Sequence, residues 1–267
     1  RGIWSREIML FQGPEGWTEF SPFVEYNDEE AVHWLRAALE FGWQPLPKLY
    51  RDEIKVNATV PAVAPDQVAE VLSHFDGCRT AKVKVGEPGQ LLNEDVERVR
   101  EVRRILGPEG RIRVDANGVW NVDEAEHAFH ALAEFDLEYV EQPCASLEEL
   151  AELRQRTHYM DVPIAADESI RKAEDPRAVA QAVAADVLVL KAQPLGGISK
   201  IVELSEEVAL PIVLSSALES SVGIAMGLYA AAAVKNLDYD CGLGTASLLA
   251  GDVTDAPLVA QGGSIAL

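Results

Sequence analysis

Two lysines on one short predicted strand, Lys82 and Lys84 in TAKVKVG, are separated by a single valine. Side chains of a strand alternate between its two faces, so both ammonium groups point to the same side. Lysine is rarely buried without a partner, so two like charges at one place indicate a site. A lysine that acts as a base near neutral pH needs a lowered pKa, which burial and a neighbouring cation provide. The pair therefore predicts proton-transfer chemistry.

Three acids end the next predicted strands: Asp115 in RIRVDANG, Glu141 in LEYVEQP and Asp167 in VPIAADES. Asp115 and Glu141 lie 26 residues apart, and Glu141 and Asp167 are separated by the same interval. This interval fits one strand plus one helix, so we expect the acids at equivalent places on successive strands. Three converging carboxylates repel one another unless a cation binds them, and Mg²⁺ prefers oxygen ligands of this kind. The spacing predicts a Mg²⁺ site, in which Mn²⁺ is also possible.

Other polar residues at predicted strand ends extend the candidate site. Lys191 ends the apolar run VLVLKAQP, which places it across a closed barrel from Lys84. Gly196 and Gly197, which follow Lys191, precede a predicted helix, and a helix N-terminus is able to bind an anion. The remaining candidates at or just after strand ends are Asn117, Glu168, Gly196, Gly197, Ser215, Ser216 and Glu219.

No histidine falls at a predicted strand end. The five histidines lie in predicted helices or at helix ends: His33, His74, His127, His130 and His158. This pattern argues against a histidine-ligated zinc, a Ser-His-Asp triad and a histidine base.

The elements that must position these residues alternate between strand and helix from residue 56 onward, in seven or eight units. One helix begins with a capping box of Ser146 and Glu149, another opens at Asp175-Pro176, and the short CGLGTASLL is the candidate eighth strand. Such alternation predicts a parallel α/β barrel over residues 56–249, with chemistry at the carboxyl ends of its strands. Residues 1–55 break the pattern, with two strands joined at GPEG and a helix over Asp28–Glu40, and form a separate α+β unit. The strand-like tail 250–267 is a candidate to return to that unit.

The amino-acid composition limits the classes of molecule that the protein is expected to bind. The formal net charge of −21 argues against nucleic acid and anionic membranes. Three scattered cysteines favour a reducing, cytoplasmic setting. The apolar run over residues 222–234 is too short to span a bilayer and predicts a buried helix. We expect a small-molecule carboxylate as the partner, and the sequence does not indicate an oligomeric state.

Several motifs together resemble the muconate-lactonising subgroup of the enolase superfamily: KVK, VDANG, VEQP, ADES and LKAQPLGG. The segments GWTEFSPFVEY, VNATVPAV and SSALESSVG are similar to those of its o-succinylbenzoate synthases. The resemblance implies a modified TIM barrel, (β/α)7β, with an N-terminal α+β capping domain, and further chain at both ends. It also implies the syn dehydration of 2-succinyl-6-hydroxy-2,4-cyclohexadiene-1-carboxylate to o-succinylbenzoate, a step of menaquinone biosynthesis.

The same resemblance implies roles for individual residues. The Mg²⁺ ligands would be Asp115, Glu141 and Asp167. Lys84 would take the α-proton and return it to the departing hydroxyl, while Lys82 assists it and contacts the carboxylate. Lys191 would face the other side of the enediolate. Asn117, Gly196, Gly197, Ser215, Ser216 and Glu219 would contact substrate, with Arg113 and Glu168 supporting the site from behind.

Three alternatives stay open. An N-acylamino-acid racemase or dipeptide epimerase would use the same metal and lysines. A sugar-acid dehydratase would need a histidine base on the seventh strand, where this chain has SSALES. A non-catalytic barrel would need no metal.

Overall fold

The computed structural model describes residues 3, 5–171 and 177–267. Within these ranges the strands are β1 (Met9–Gly13), β2 (Gly16–Phe20), β3 (Glu53–Lys55), β4 (Ala58–Val60), β5 (Thr80–Lys84), β6 (Arg111–Asp115), β7 (Leu137–Glu141), β8 (Ile164–Ala166), β9 (Val187–Leu190), β10 (Ile212–Leu214) and β11 (Ser264–Ala266). The helices are α1 (Asp28–Trp43), α2 (Val68–Ser73), α3 (Leu92–Leu106), α4 (Val122–Leu132), α5 (Leu147–Thr157), α6 (Glu168–Arg171), α7 (Ala178–Gln181), α8 (Ala192–Leu195), α9 (Ile198–Glu207) and α10 (Ser221–Ala233). The predicted helix start at Asp175-Pro176 lies outside the described residues.

The chain divides into two compact units, one of residues 1–56 with 190–267 and one of residues 57–189. The sequence assigns residues 56–249 to a single barrel domain, whereas this division by compactness groups residues 190–267 with the N-terminal segment. The predicted domain boundaries stay a prediction.

The second unit, residues 57–189, is built on parallel strands in chain order from β4 to β9. Strands β4, β8 and β9 are buried along their whole length. A parallel sheet is covered on both faces, so its strands are apolar throughout. Buried charged residues are therefore conspicuous in this sheet, where Lys82 and Arg113 lie within β5 and β6, and Asp115 and Glu141 end β6 and β7.

Two helices of the second unit, α4 and α5, begin at side-chain caps. Helix α4 starts after Asn121, whose side-chain oxygen accepts a hydrogen bond from the Glu124 N–H. The predicted capping box of α5 is confirmed, because the Ser146 and Glu149 side chains each accept from the other residue's N–H. These caps fix where each strand-to-helix loop ends, and so limit the loops that carry the candidate site.

The first unit, residues 1–56 with 190–267, contains the predicted hairpin, in which β1 pairs antiparallel with β2. Helix α1 extends to Trp43, three residues beyond its predicted end. Strand β11 pairs antiparallel with β3, so the tail returns to residues 53–55. The apolar run predicted as a buried helix is α10, which is buried around most of its circumference. No helix in the described part of the chain combines the length and apolarity that a bilayer span requires.

The predicted eighth strand, CGLGTASLL, is shorter than the sequence suggests. It contributes two single parallel bridges within the first unit, Ser215 with Gly242 and Cys241 with Val56. The Ser215 N–H also donates to the Leu190 carbonyl at 2.9 Å. A 3₁₀ helix over Thr245–Leu248 replaces the rest of the predicted strand.

Helix α9 begins at a crowded glycine. Gly197 has φ of +126°, and a Cβ built on it would lie 2.3 Å from Oε2 of Glu40 on α1. Oε1 of Glu40 accepts a hydrogen bond from the Ser199 N–H at 2.8 Å. Glu40 thus supplies the negative charge that a helix N-terminus favours, and the φ of +126° at Gly197 is one that favours glycine.

We expect Gly197→Ala to destabilise the protein by about 1–3 kcal/mol, because alanine disfavours this φ and would displace Glu40. Urea denaturation followed by circular dichroism measures the effect. Gly251→Ala is the matched control, since a Cβ there meets nothing within 4 Å. Equal denaturation midpoints for the two variants would contradict this account.

Candidate active site

Lys84, Asp115 and Glu141 lie side by side at the carboxyl ends of three neighbouring strands in the second unit. Lys84 is the Cα partner of Asp115, and Asp115 is the partner of Glu141. Glu141 in turn pairs with Ala165, so Asp167 lies two residues further along, just past β8. The equal sequence spacing therefore does not put all three acids at one level, because parallel strands of a barrel are staggered.

Lys82 is buried between two of the predicted metal ligands. Its Nζ lies 2.8 Å from Glu141 Oε1 and 3.3 Å from Asp115 Oδ2. Burial disfavours the charged ammonium, but the carboxylates of Glu141 and Asp115 outweigh it and hold the pKa of Lys82 well above its ordinary value. The two carboxylates are thus counter-charges for the Lys82 ammonium.

Lys84 occupies the more open position of the pair. Its side chain is 31% exposed, against 9% for Lys82. Its Nζ donates to Asp115 Oδ2 at 2.5 Å and to Asn117 Oδ1 at 2.9 Å. The strand alternation predicted from the sequence holds, and the two lysines differ in their access to a ligand.

Asn117 joins the loops after β6 and β8. Its backbone is left-handed, with φ of 50°, and its N–H donates to Asp115 Oδ1 at 3.0 Å. Its side-chain Nδ2 donates to Glu168 Oε1 at 3.1 Å. Asn117 and Glu168 therefore lie beside Lys84 and Asp115.

Arg113 lies one pair of residues below Asp115, at the level of Lys82. It is fully buried, and its Nε donates to Glu138 Oε2 at 2.5 Å. Its guanidinium carbon lies 4.8 Å from the centre of the Tyr139 ring. The contacts described for Arg113 are to structural neighbours, which fits the supporting position predicted for it.

Gln142 is a site residue that sequence reasoning missed, although VEQP contains it. Its φ of 39° is unusual for a non-glycine residue, and it is fully buried. Its Oε1 accepts hydrogen bonds from the N–H groups of Asp167 and Ser169, at 3.0 and 3.2 Å. Its Nε2 donates to the Cys144 carbonyl at 2.8 Å. Gln142 thus ties the backbone of Asp167 to the end of β7.

The predicted metal ligands have carboxylate side chains, which suit a hard divalent cation. Asp115, Glu141 and Asp167 are each at most 2% exposed, so their charges require compensation. Over the described ranges, no three His, Cys, Asp or Glu side chains are grouped closely enough to hold a metal ion. The ammonium of Lys82 bridges Asp115 and Glu141 and supplies positive charge there. Buried carboxylate oxygens at a loop edge fit a hard divalent cation.

The first unit contains the other candidates. Lys191 follows β9 directly, as predicted, and is the N-cap residue of α8. Gly196 ends α8 in a left-handed conformation. Since Glu40 already lies at the N-terminus of α9, an anion at the predicted Gly196-Gly197 position would meet a carboxylate there.

Ser215 and Ser216 follow β10 and contact the segment around Gly242. A Cβ on Gly242 would lie 2.6 Å from the Ser215 Oγ. The Ser216 Oγ donates to the Gly242 carbonyl at 2.9 Å and lies 2.7 Å from the Thr245 Oγ1. The Ser216 side chain thus has partners within its own unit, and the predicted contacts of both serines with substrate stay a prediction.

Glu219 belongs to a buried carboxylate pair with Glu19, a second residue that the sequence did not single out. Glu19 accepts hydrogen bonds from the Ser21 and Ser220 hydroxyls and from the Gly223 N–H at the start of α10. Glu219 accepts from the Ala217 N–H at 2.6 Å. Burial and then the nearby Glu19 raise the pKa of Glu219 to about 7, although Arg6 opposes this. A lone acid in GWTEF is too weak a signal to predict this pair.

Two family descriptions match the chain: Enolase N-terminal domain-like over residues 1–42 and Enolase C-terminal domain-like over residues 66–267. The L-Ala-D/L-Glu epimerase from Bacillus subtilis, solved in a substrate-liganded complex, superposes with a TM-score of 0.80 and 25% identity. That comparison covers 97% of this chain and 88% of the epimerase chain. Fold and family thus define an enolase-superfamily α/β protein of the modified TIM-barrel class with an N-terminal cap. Enzymes of this superfamily depend on divalent metals.

Curated relatives identify the family within this superfamily to which the chain belongs. The o-succinylbenzoate synthase of Mycobacterium tuberculosis (strain ATCC 25618 / H37Rv) is 57% identical over 96% of this chain and 77% of its own length. The o-succinylbenzoate synthase of Thermobifida fusca (strain YX) is 55% identical over 97% of this chain and 80% of its own length. The chain belongs to the o-succinylbenzoate synthase family.

The titration of Glu219 gives a testable pH dependence. Its raised pKa means that folding favours the protonated form, so this stabilisation is complete below the ordinary pKa and is lost as pH rises from about 4.5 to about 7. We expect the free energy of unfolding of Glu219→Gln, relative to wild type, to increase by about 3 kcal/mol across that window. Urea titrations at several pH values measure it.

Glu15→Gln replaces an exposed acid of the same unit and serves as the control. Its stability relative to wild type should stay constant over the window. If the free energies of unfolding of Glu219→Gln and wild type differed by the same amount at every pH, Glu219 would not have a raised pKa in the folded protein.

Proposed function

We propose that the chain catalyses the Mg²⁺-dependent syn dehydration of 2-succinyl-6-hydroxy-2,4-cyclohexadiene-1-carboxylate to o-succinylbenzoate, a hydro-lyase step of menaquinone biosynthesis in the cytoplasm. The observation that carries the proposal is the pair Lys82 and Lys84 beside Asp115 and Glu141, in a chain that is 54–57% identical to proteins named o-succinylbenzoate synthase. The expected partner is this small-molecule carboxylate.

Removal of the proton next to a carboxylate is the difficult part of this reaction. The proton is weakly acidic, so a base must lie close to it and the charge that develops must be stabilised. Lys84 is the more exposed of the two lysines and has a hydrogen-bonded position beside Asn117. In this proposal Lys84 takes the α-proton and delivers a proton to the departing hydroxyl on the same face, which accounts for syn elimination.

Lys82 has a different task in the proposal. The carboxylates around it keep it charged, so it does not serve as a base. It holds Glu141 and Asp115 in place and contributes positive charge near the substrate carboxylate. The burial of Lys82 and the partial exposure of Lys84 support this division of roles.

The divalent cation would be held by Asp115, Glu141 and Asp167. When bound, Mg²⁺ or Mn²⁺ supplies positive charge that stabilises negative charge on the substrate carboxylate. Gln142 orients the backbone at Asp167, while Asn117 orients Asp115 and Lys84.

Lys191 completes the proposed catalytic set as the second cation for the enediolate. Its role rests on the resemblance of LKAQPLGG to the family motif. Ser215, Ser216, Glu219, Gly196 and Gly197 remain proposed contacts for the succinyl arm on the same basis.

A second candidate activity is racemisation of N-succinylamino acids or epimerisation of dipeptides. The structural similarity to the L-Ala-D/L-Glu epimerase supports this second activity. Racemisation uses a proton donor and acceptor on the two faces of an α-carbon, so it needs the same lysines. The substrate must therefore separate the two activities.

The decisive experiment incubates the protein with Mg²⁺ and either the cyclohexadiene acid or N-succinylamino acids. We expect o-succinylbenzoate to form from the first substrate, followed by its absorbance, and chelation with EDTA to stop the reaction. Readdition of Mg²⁺ should restore it. Turnover of N-succinylamino acids without turnover of the cyclohexadiene acid would favour the racemase instead.

Variants of the two lysines test their separate roles. We expect Lys84→Ala to lower kcat by roughly 10²- to 10⁴-fold, which is the contribution of general base catalysis. Lys82→Ala should reduce turnover less severely and retain Mg²⁺ binding by titration calorimetry. Lys200→Ala removes an exposed lysine that pairs with Glu203 and serves as the control. Wild-type turnover in Lys84→Ala would exclude Lys84 as the base.

A further inference from the structure

Arg98 is a charged residue of α3 that is almost completely removed from solvent, at 1% exposure. A buried guanidinium is costly unless its donors are paired. Neither the sequence motifs nor the proposed chemistry uses Arg98. Its contacts therefore identify what it stabilises.

The guanidinium of Arg98 donates to four acceptors. Nη1 donates to the backbone carbonyl of Lys84 at 2.9 Å and to Asp95 Oδ1 at 2.7 Å. Nε donates to the Val63 carbonyl, after β4, at 2.6 Å. Nη2 donates to the Gln90 side chain at 2.5 Å. One side chain thus ties the ends of two neighbouring strands to the loop before α3.

Asp95 extends this connection past Lys84. Its Oδ2 accepts a hydrogen bond from the Gly86 N–H at 2.9 Å, while its Oδ1 accepts from Arg98. Gly86 has φ of +68°, and a Cβ there would lie 2.6 Å from the Val119 side chain. The Asp95–Arg98 pair therefore contacts the backbone at Lys84 itself and two residues beyond it.

The geometry of these contacts requires arginine. Its planar fork presents donors in several fixed directions, whereas a lysine ammonium is a point charge on a flexible stem. Lysine at position 98 would keep the charge beside Asp95 but could not satisfy all four acceptors together.

We propose that Arg98 is a positioning residue for Lys84: with Asp95 it fixes the backbone from which the Lys84 side chain leaves β5, and thereby holds Nζ at its working position. The catalytic consequence rests on the proposed function, in which Lys84 moves the proton. A displacement of about 1 Å in a reacting group can lower the rate about 10²-fold.

Arg98→Lys tests the proposal, with Arg100→Lys as its matched control. Arg100 is on the same helix, but it is half-exposed and pairs with Glu97 and Glu134. We expect Arg98→Lys to lower kcat about 10- to 100-fold with KM changed less than about twofold. The amides of residues 83–90 should exchange hydrogen faster than in wild type, while those of β7 exchange as before. Arg100→Lys should match wild type in every measurement.

A second variant covers the case in which Arg98→Lys fails to fold. Asp95→Asn/Arg98→Gln removes both buried charges together, so no uncompensated charge remains. The same local increase in exchange over residues 83–90 is expected, together with the lowered kcat.

The outcomes separate this inference from the proposed function. Equal kcat and equal exchange in Arg98→Lys and Arg100→Lys would overturn the positioning role. Faster exchange throughout β7 as well would overturn it too, since the effect would then be general destabilisation. If the wild-type protein does not convert the cyclohexadiene acid, the proposed function fails. Faster hydrogen exchange confined to residues 83–90 in Arg98→Lys would still support the positioning of Lys84.

Discussion

The charge balance at the carboxyl ends of β5, β6 and β7 is the constraint on which the candidate site depends. Asp115 and Glu141 are buried in a largely apolar sheet, where uncompensated carboxylates would be very costly. Lys82 lies within 3.3 Å of both and compensates them. Two lysines on one strand, which look like a repulsive pair in the sequence, are instead each paired with an acid on a neighbouring strand.

The loops that follow these strands are held by side chains that accept or donate several hydrogen bonds at once. Gln142 connects the ends of β7 and β8, and Arg98 connects the ends of β4 and β5. The side chains of Gln142 and Arg98 each bond backbone atoms of more than one segment, so the positions of the connected loops depend on one another. The unusual φ of Gln142 fits this view, because a strained backbone persists only where its surroundings determine it.

Much of this arrangement could be predicted from sequence because it depends on local periodicity. Strand parity places Lys82 and Lys84 on one face, and strand ends identify Asp115 and Glu141. The stagger that moves Asp167 past the level of Glu141 could not be read from equal spacing, since register depends on the whole sheet. Glu19 and Glu40 were missed for a related reason: each acts at the start of a helix more than 150 residues later in the chain.

The two lysines also show why residue type and spacing alone do not assign a chemical role. Lys82 and Lys84 share a strand, a face and a side-chain chemistry, yet one is enclosed by two carboxylates and the other is about a third exposed. Enclosure by opposite charge stabilises the ammonium form of Lys82, which in the proposed mechanism is a fixed cation and not a base. The side chain of Lys84 is the more accessible of the two to a ligand. The difference arises from position along the strand, because the residue nearer the carboxyl end lies nearer the loops where a substrate binds.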